Sequence, residues 1–271
     1  MTYSPDKWKD YGSYYVYEGE QRSIGWKQAR TGRVTGSVVT TCVNGSNYNG
    51  VKVTPQDVAE EIAGVKKKSE DPIELGNINT NEDYASMMHK IAIKNRVDQR
   101  NETSKNNKNY GTNNEDTVRK WYASVTNTTV KEVGLAVPKF DLRLGMSPDG
   151  IVFEKDNETF GIGLIEIKCP QKFYKPLQEF LDKGRPYTDE YTHIWRSHYD
   201  QMQMGMAVFD KEWCDYIVYC IPENQFFMER VFRNRKYWDD FYSKVKIFIE
   251  TTLEPLLKSI GSTYPLVPTQ K

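Results

Sequence analysis

The 271 residues of this chain are enough to bury a substantial core, and one α/β domain with additions fits this length as well as two domains do. The 37 basic and 37 acidic residues balance, which argues only weakly against a nucleic-acid partner, because a local groove can be positive on a neutral protein. The four cysteines show no metal-binding spacing, and no apolar run approaches the roughly 18 residues of a membrane span, so we expect a soluble, intracellular protein.

The N-terminal part of the chain combines aromatic residues with polar turns. Residues 1–22 are predicted to form an irregular aromatic arm, and residues 24–30 a short helix that two following glycines end. Ser37 fits the N-cap of another short helix over residues 38–42. With the helices that follow, this pattern predicts an N-terminal helical segment over about residues 1–110.

Three polar side chains near the second short helix have the chemistry of a phosphate site. The hydroxyls of Thr35 and Ser37 lie close in sequence to the guanidinium of Arg30, and amide groups at a helix start attract anions. An ordinary polar turn explains the same residues equally well. The residues alone therefore leave both interpretations open.

The next stretch predicts helices separated by a polar segment. Thr54 and Pro55 form a good N-terminal cap for a helix that ends at Gly64. Residues 82–99 show helical spacing of apolar side chains, whereas residues 100–109 are polar and low in complexity. We therefore expect a mobile loop over residues 100–109.

A further helix is predicted to begin near residue 111, with Glu115 in its first turn. Acidic residues at a helix start usually do no more than complement the helix dipole. On spacing alone, Glu115 has no other role.

A β-hairpin is predicted over residues 145–171, after strands over residues 130–137 and 142–144. Residues 151–153 form its first strand and residues 163–168 its second, which Pro170 ends. The second strand is apolar enough to be a central, mostly buried strand of a sheet.

This hairpin carries charges where burial is expected. Asp149 starts the first strand and should lie beside Glu166 on the second, and Lys168 shares a face with Glu166 because side chains alternate along a strand. Buried charges need a partner or a metal. Two converging carboxylates suit Mg²⁺, with Mn²⁺ as the alternative, and the lysine can then touch a water or a phosphate. A plain Glu–Lys pair on a half-exposed strand is the competing interpretation.

The last part of the chain is predicted to complete the sheet. Residues 192–208 form a helix with His198 and Gln201 on one face. Two strands and a long amphipathic helix follow: residues 214–221, 226–232 and 234–257. Residues from about 111 to 260 are therefore predicted to form the core, within a single domain over residues 1–271.

The pattern of Pro148 and Asp149 followed by Glu166-x-Lys168 resembles the PD-(D/E)xK nuclease motif. Its longer form, SPDG followed by EIKCP, is similar to the lambda exonuclease and YqaJ-type viral recombinase family. Two shorter patterns agree with that family: Trp26-x3-Arg30 before the Thr35 turn, and H-Y-D-Q-M-Q on the late helix. The resemblance implies an α/β (α+β) fold of the restriction-endonuclease-like type, with a central mixed sheet flanked by helices.

The resemblance also implies roles for individual residues. The implied catalytic residues are Asp149, Glu166, Lys168, Glu115 and Gln201. The implied ligands of Mg²⁺ are Asp149, Glu166 and the backbone carbonyl of Ile167. The implied contacts to a DNA 5′-phosphate are Arg30, Thr35 and Ser37. The family typically shows Tyr at the position of His198, so this sequence departs from the pattern there.

The implied activity is Mg²⁺-dependent 5′→3′ exonuclease digestion of double-stranded DNA, from 5′-phosphorylated ends, leaving 3′ single strands for recombination or repair. The implied partners are DNA ends, a single-strand annealing protein and two further copies of the chain in a ring-shaped homotrimer. No membrane partner is expected. A viral protein would then work in the host cytoplasm or nucleus.

Three alternatives stay open at this point. A structure- or end-specific endonuclease, or a single-strand-specific exonuclease, on the same fold would lack a pocket for a 5′-phosphate. A non-catalytic DNA-binding protein would typically lack one of the acids or the lysine, yet Asp149, Glu166 and Lys168 are all present. A metal-binding module without nuclease action would tolerate the loss of Lys168.

Overall fold

A computed structural model of the chain describes residues 4–48, 51–65, 81–159, 161–173 and 194–262. The charged segment after Pro170, which its sequence predicts to be exposed as far as about residue 191, lies largely outside this range. The strands are β1 Trp8–Asp10, β2 Tyr14–Tyr17, β3 Val34–Thr35, β4 Ser46–Tyr48, β5 Val51–Val53, β6 Thr128–Lys131, β7 Leu135–Pro138, β8 Leu144–Gly145, β9 Gly150–Glu154, β10 Gly163–Lys168, β11 Trp213–Cys220 and β12 Gln225–Phe232. The helices are α1 Ile24–Arg30, α2 Val39–Asn44, α3 Pro55–Ile62, α4 Asn81–Thr126, α5 Arg196–Phe209, α6 Arg235–Phe248 and α7 Glu254–Ser259, with a 3₁₀ turn at Pro5–Lys7 and a π-helical turn at Ile249–Leu253.

A five-stranded sheet forms the centre of the molecule, in the order β12-β11-β10-β9-β6. Strands β10 and β11 run parallel and the other neighbours run antiparallel, so the sheet is mixed. The hairpin of β9 and β10 has the predicted antiparallel pairing, with Leu164 opposite Ile151. The predicted mixed sheet flanked by helices is confirmed.

The alternation of β10 distributes its side chains between two hydrophobic cores. Leu164 packs in the larger core, together with residues of α5 and α6. Ile165, Ile167 and Cys169 pack in a second core against Val118 and other side chains of α4. Because helices cover both faces, the strand is buried along most of its length, as its apolar sequence predicts.

Helix α4 contradicts the predicted loop over residues 100–109. A single helix runs through this stretch from Asn81 to Thr126. The segment contains no proline, and the lone Gly111 costs an interior helix position only about 1 kcal/mol, so polarity alone did not justify a loop. The predicted division of the chain near residue 110 falls within α4 and stays a prediction.

The prediction of an irregular arm over residues 1–22 is also wrong. Strands β1, β2 and β7 form a second sheet, in which Trp8 and Tyr17 are buried. The predicted strand over residues 130–137 divides at Gly134 into β6 and β7, which belong to different sheets. A Cβ atom at Gly134 would lie 1.9 Å from the carbonyl oxygen of Tyr17, so only glycine allows the two segments to approach there.

Helix starts were predicted with mixed success. Thr54 caps α3 in a reciprocal capping box with Asp57, as its sequence indicates. Ser37 is not an N-cap: α2 begins after Val38, which makes no side-chain cap. The hydroxyl of Ser37 accepts a hydrogen bond from Arg30 instead.

The four cysteine thiols are all free and buried. Among the residues that the structure describes, no helix combines the length and the apolar character needed to cross a bilayer.

Candidate active site

A cavity of about 1120 Å³ lies between the N-terminal elements, α4, the β9–β10 hairpin and the start of α5. Every residue to which the sequence assigned a site role lines it: Arg30, Thr35, Ser37, Glu115, Asp149, Glu166, Ile167, Lys168 and Gln201. These residues come from five elements, namely α1, β3, α4, β10 and α5, and from the turns after β3 and before β9, so the fold brings together what the sequence keeps apart.

Asp149 is fixed by backbone contacts at the start of β9. Its Oδ2 atom accepts a hydrogen bond of 2.6 Å from the amide of Ile167, and its carbonyl oxygen accepts one of 2.8 Å from Nε of the buried Arg119. Burial raises the pKa of Asp149, and the negative charge of Glu166 raises it further, against the opposing effect of Lys168. The two carboxylates are therefore close enough to repel each other.

Glu166 is the most constrained of the acids, since it is only 2% exposed. Its Oε1 accepts a hydrogen bond from Nζ of Lys168, and its Oε2 accepts one of 2.8 Å from Nε2 of Gln201. Burial disfavours the ammonium of Lys168, but the charges of Glu166 and Asp149 outweigh burial and raise its pKa. Lys168 is therefore held as a cation that can donate hydrogen bonds into the cavity.

Glu115 projects from α4 into the same cavity. Both of its carboxylate oxygens accept from Nη2 of Arg22, at 2.8 Å and 3.1 Å. Its charge also contributes to the raised pKa of Asp149. Sequence reasoning missed Arg22, because nothing in the local pattern of residues 20–23 indicates a partner 93 positions away.

Arg30, Thr35 and Ser37 form a contiguous group that also lines the cavity, named here the anchor cluster. Nη2 of Arg30 donates to the hydroxyls of Thr35 at 2.7 Å and Ser37 at 3.2 Å. The guanidinium lies 4.3 Å from the centre of the Trp26 ring, and burial lowers the pKa of Arg30. A guanidinium beside two hydroxyls presents hydrogen-bond donors suited to a phosphate.

Helix α5 contributes His198 and Gln201 to the cavity, and these two side chains make different contacts. Nδ1 of His198 is 2.8 Å from the hydroxyl of Tyr216, and burial together with the positive charge of Lys168 lowers the pKa of His198 to about 3. Gln201 contacts Glu166, whereas Gln203 bonds to the backbone of Phe232 and Asn234, away from the acids. Of the two glutamines in the Gln-x-Gln pattern, only Gln201 serves the cavity.

The donor set at the acids fits a hard divalent cation. The chemistry is that of oxygen ligands: the carboxylates of Asp149 and Glu166, with the Ile167 carbonyl predicted beside them. A cation there would relieve the repulsion that raises the pKa of Asp149. Over the described ranges no three His, Cys, Asp or Glu residues converge as a metal cluster, so the acids alone would not complete a coordination shell.

The family model of the YqaJ-like viral recombinase domain matches residues 25–212. The crystal structure of an alkaline exonuclease (LHK-Exo) from Laribacter hongkongensis has a TM-score of 0.55 and 23% identity, over 88% of this chain and 98% of that one. The complex of LHK-Exo with dAMP gives a TM-score of 0.54 and 24% identity over the same shares. At these identities the likeness shows a shared fold. No curated protein matches the sequence.

Proposed function

This chain belongs to the family of YqaJ-like viral recombinase domains, and on that premise we propose that it is a metal-dependent DNA exonuclease. It digests double-stranded DNA in the 5′→3′ direction from phosphorylated 5′ ends and leaves 3′ single strands for recombination or repair. The family and the fold that this chain shares with an alkaline exonuclease support a DNA nuclease. The direction and the end specificity rest on the site itself.

One observation carries the proposal: the anchor cluster and the paired acids open into one cavity. The anchor cluster carries one positive charge and two hydroxyls, and the acid side carries an excess of carboxylates over cations. A terminal 5′-phosphate bound at Arg30 would place a neighbouring phosphodiester of the same strand at the acids. The anchor would thus select which end of the duplex is cut.

The two acids of the hairpin would bind the metal in this mechanism. Asp149 and Glu166, with the carbonyl of Ile167, would hold Mg²⁺ or Mn²⁺. The chemistry that such an ion supplies is Lewis acidity, which activates water as a nucleophile and offsets the charge that develops on the phosphate. The fixed amide of Ile167 orients Asp149, and Gln201 orients Glu166.

Lys168 acts as a hydrogen-bond donor in this mechanism. Because its pKa is raised, it stays protonated near neutral pH and orients the attacking water or a phosphate oxygen rather than removing a proton. Glu115 reaches the cavity from α4, and its carboxylate can accept a proton from the attacking water. The departing 3′-oxygen takes a proton from solvent.

The direct test uses two linear duplexes that differ only at the 5′ end, one phosphorylated and one with a free hydroxyl, with a label near that end. With Mg²⁺, we expect release from the phosphorylated end to be at least about tenfold faster, since a charged contact to phosphate is worth about 1.5–3 kcal/mol. Equal rates on the two ends would remove the anchoring role, and cleavage of closed circular DNA would replace the exonuclease by an endonuclease.

Arg30→Ala is the matching variant, and Arg235→Ala is its control. Arg235 also pairs with an oxygen acceptor, the carboxylate of Glu212, but does so outside the cavity. We expect Arg30→Ala to abolish the preference for phosphorylated ends while Arg235→Ala retains it. A preference that survives Arg30→Ala would contradict the anchor.

The resemblance also favours a ring-shaped homotrimer around the DNA and a single-strand annealing protein that receives the 3′ strand. A ring would explain processive digestion, because the DNA could not leave between cuts. Light scattering that gives the mass of one chain, at concentrations where the protein is active, would contradict the trimer.

A further inference from the structure

The turn between β2 and α1 contacts the segment before β9, helix α4 and helix α1, and each of these contributes residues to the cavity. Its residue Arg22 has a φ of 69°, in the left-handed region that a long side chain rarely adopts. Strained backbone of this kind persists where surrounding contacts hold it, and such positions are common at functional sites. The contacts of Arg22 and its neighbours therefore indicate which parts of the cavity this turn stabilises.

The neighbours of Arg22 tie the turn to the reactive parts of the site. Nε2 of Gln21 donates to the carbonyl oxygens of Val133 at 2.8 Å and Pro148 at 3.3 Å, and Pro148 immediately precedes Asp149. The hydroxyl of Ser23 caps α1 by accepting from the amide of Trp26 at 3.2 Å. The turn is thus joined to the β9–β10 hairpin with Asp149 and Glu166, named here the acid hairpin, and to the helix that carries Arg30.

The side chain of Arg22 completes this connection. Its Nη2 lies within 3.1 Å of both oxygens of Glu115, a side chain that is 18% exposed and belongs to α4. A guanidinium that contacts both oxygens restricts the rotation of the carboxylate. Glu115 would otherwise be drawn by the other charges in the cavity, where Asp149 repels it and Lys168 attracts it.

We propose that Arg22 is a positioning residue for the nuclease reaction, holding the carboxylate of Glu115 at the place in the cavity where it can accept a proton from the attacking water. This inference rests on the proposed function. Arg22 acts through Glu115, so it contributes to the chemical step and not to the affinity for DNA. A guanidinium that instead bound a DNA phosphate would contribute to affinity.

A double-mutant cycle separates these roles. Arg22→Ala, Glu115→Gln and the double variant are compared with the wild type by kcat and KM on a phosphorylated linear duplex. We expect Arg22→Ala to lower kcat about tenfold with KM nearly unchanged, and to have no further effect in the Glu115→Gln background. Arg22→Lys should recover part of the loss, and the control Arg235→Ala should behave as the wild type.

Three results would overturn the inference. They are a rise in KM at constant kcat, an equal loss of kcat in both backgrounds, and no loss of kcat. Arg22→Gly serves as a second variant, because glycine accepts the left-handed backbone, and it should show the same kinetics as Arg22→Ala if the variants are folded. A wild-type protein that does not cleave DNA would overturn the proposed function and this inference with it.

Binding of Mn²⁺ without DNA provides a readout that is independent of turnover. Calorimetry should show that Arg22→Ala binds Mn²⁺ at least as tightly as the wild type, because the substitution removes a positive charge near the acids. Weaker Mn²⁺ binding in Arg22→Ala would mean that the variant disrupts Asp149 and Glu166 themselves, which also contradicts a positioning role.

Discussion

The acid hairpin and the anchor cluster face the same cavity but are stabilised in opposite ways. Asp149 is held by a backbone amide of the central sheet, Glu166 is held by side chains of β10 and α5, and their charges repel. Arg30, Thr35 and Ser37 are held mainly by one another, on short elements outside that sheet. One region therefore suits a cation and the other an anion, as the proposed binding of a metal and of DNA by a chain of zero net charge requires.

This difference has a kinetic consequence. A change in the acid hairpin should affect the chemical step with any DNA end, whereas a change in the anchor cluster should affect the choice of end. A variant in one region that changed both the rate of cleavage and the choice of end would show that the regions are not independent. Variants of both regions therefore test the separation, beginning with the one of largest expected effect.

Lys168→Ala should reduce cleavage on the order of 10³-fold, within the range that positioned proton donors and acceptors contribute. The substitution removes the ammonium that bonds to Glu166, and the small side chain leaves the DNA path open. DNA affinity, measured by fluorescence anisotropy with Ca²⁺ in place of Mg²⁺, should stay within about threefold of the wild type, because Lys168 bonds to Glu166 in the unbound protein and the affinity for DNA is shared among contacts to many phosphates. The loss should be equal on phosphorylated and hydroxyl ends.

Two further variants show whether the loss of cleavage in Lys168→Ala is specific to that side chain. Asp149→Ala should abolish Mn²⁺ binding together with cleavage, whereas Lys168→Ala should abolish cleavage alone. Lys131→Ala removes another lysine of the same sheet, which pairs with Glu158 at the surface, and should leave activity unchanged. Cleavage by Lys168→Ala above a tenth of the wild-type rate would exclude the assigned role.

Gly36→Ala should produce an intermediate effect, because Gly36 lies where the two regions touch. A Cβ atom there would approach Sδ of Met146 to 2.6 Å and Cγ of Gln201 to 3.0 Å. Overpacking of this kind typically costs about 1–3 kcal/mol and displaces its neighbours. We expect a lower unfolding temperature and, through the displaced Gln201, about tenfold slower cleavage of both kinds of end.

Gly111→Ala is the matched control, since a Cβ at Gly111 would come no closer than 3.8 Å to its nearest neighbour, the carbonyl oxygen of Cys169. This variant should be active and at least as stable, because alanine favours the interior of a helix. If Gly36→Ala slowed cleavage only at phosphorylated ends, the substitution would act on the anchor cluster and not through a displaced Gln201.

The same difference explains what the sequence could predict. Asp149, Glu166 and Lys168 follow from the alternation along two paired strands, so hairpin register was enough to place them together. The anchor cluster depends on how α1 and β3 pack. Its residues alone do not distinguish a phosphate site from an ordinary polar turn, and only the family resemblance favours the phosphate site. Arg22 and the second sheet arise from contacts over long sequence separations, for which no local pattern exists.

The polar stretch of α4 shows a different reason for failure. Its composition resembles that of a disordered segment, yet the chain forms one helix from Asn81 to Thr126. The end of this helix packs Val118 and Tyr122 into the core under the sheet, and helix formation is cooperative, so the packed end supports the polar part. A window that contains only residues 100–109 does not include the residues that stabilise it.

The smallest predicted effect concerns His198, which lies on the acid side but takes no part in proton transfer. Its pKa is lowered from 6.5 to about 3 by burial and by the charge of Lys168. At about pH 7.5 and above the imidazole is almost entirely neutral in both the folded and the unfolded chain, so this residue does not change the stability there. As the pH falls from 6.5 towards 3, the unfolded chain takes up a proton that the folded chain refuses, so stability is progressively lost.

His198→Gln should remove this loss while keeping a polar partner for Tyr216. By linkage the wild type loses up to about 2 kcal/mol between pH 7.5 and pH 5 from this residue, so the variant should gain several degrees in unfolding temperature relative to the wild type at pH 5. Because His198 stays neutral, the rate profile between pH 6 and pH 8 should have the same shape in both proteins. An inflection near pH 6.5 that disappears in the variant would show instead that His198 titrates during catalysis and belongs with Glu166 and Lys168 in the chemical step.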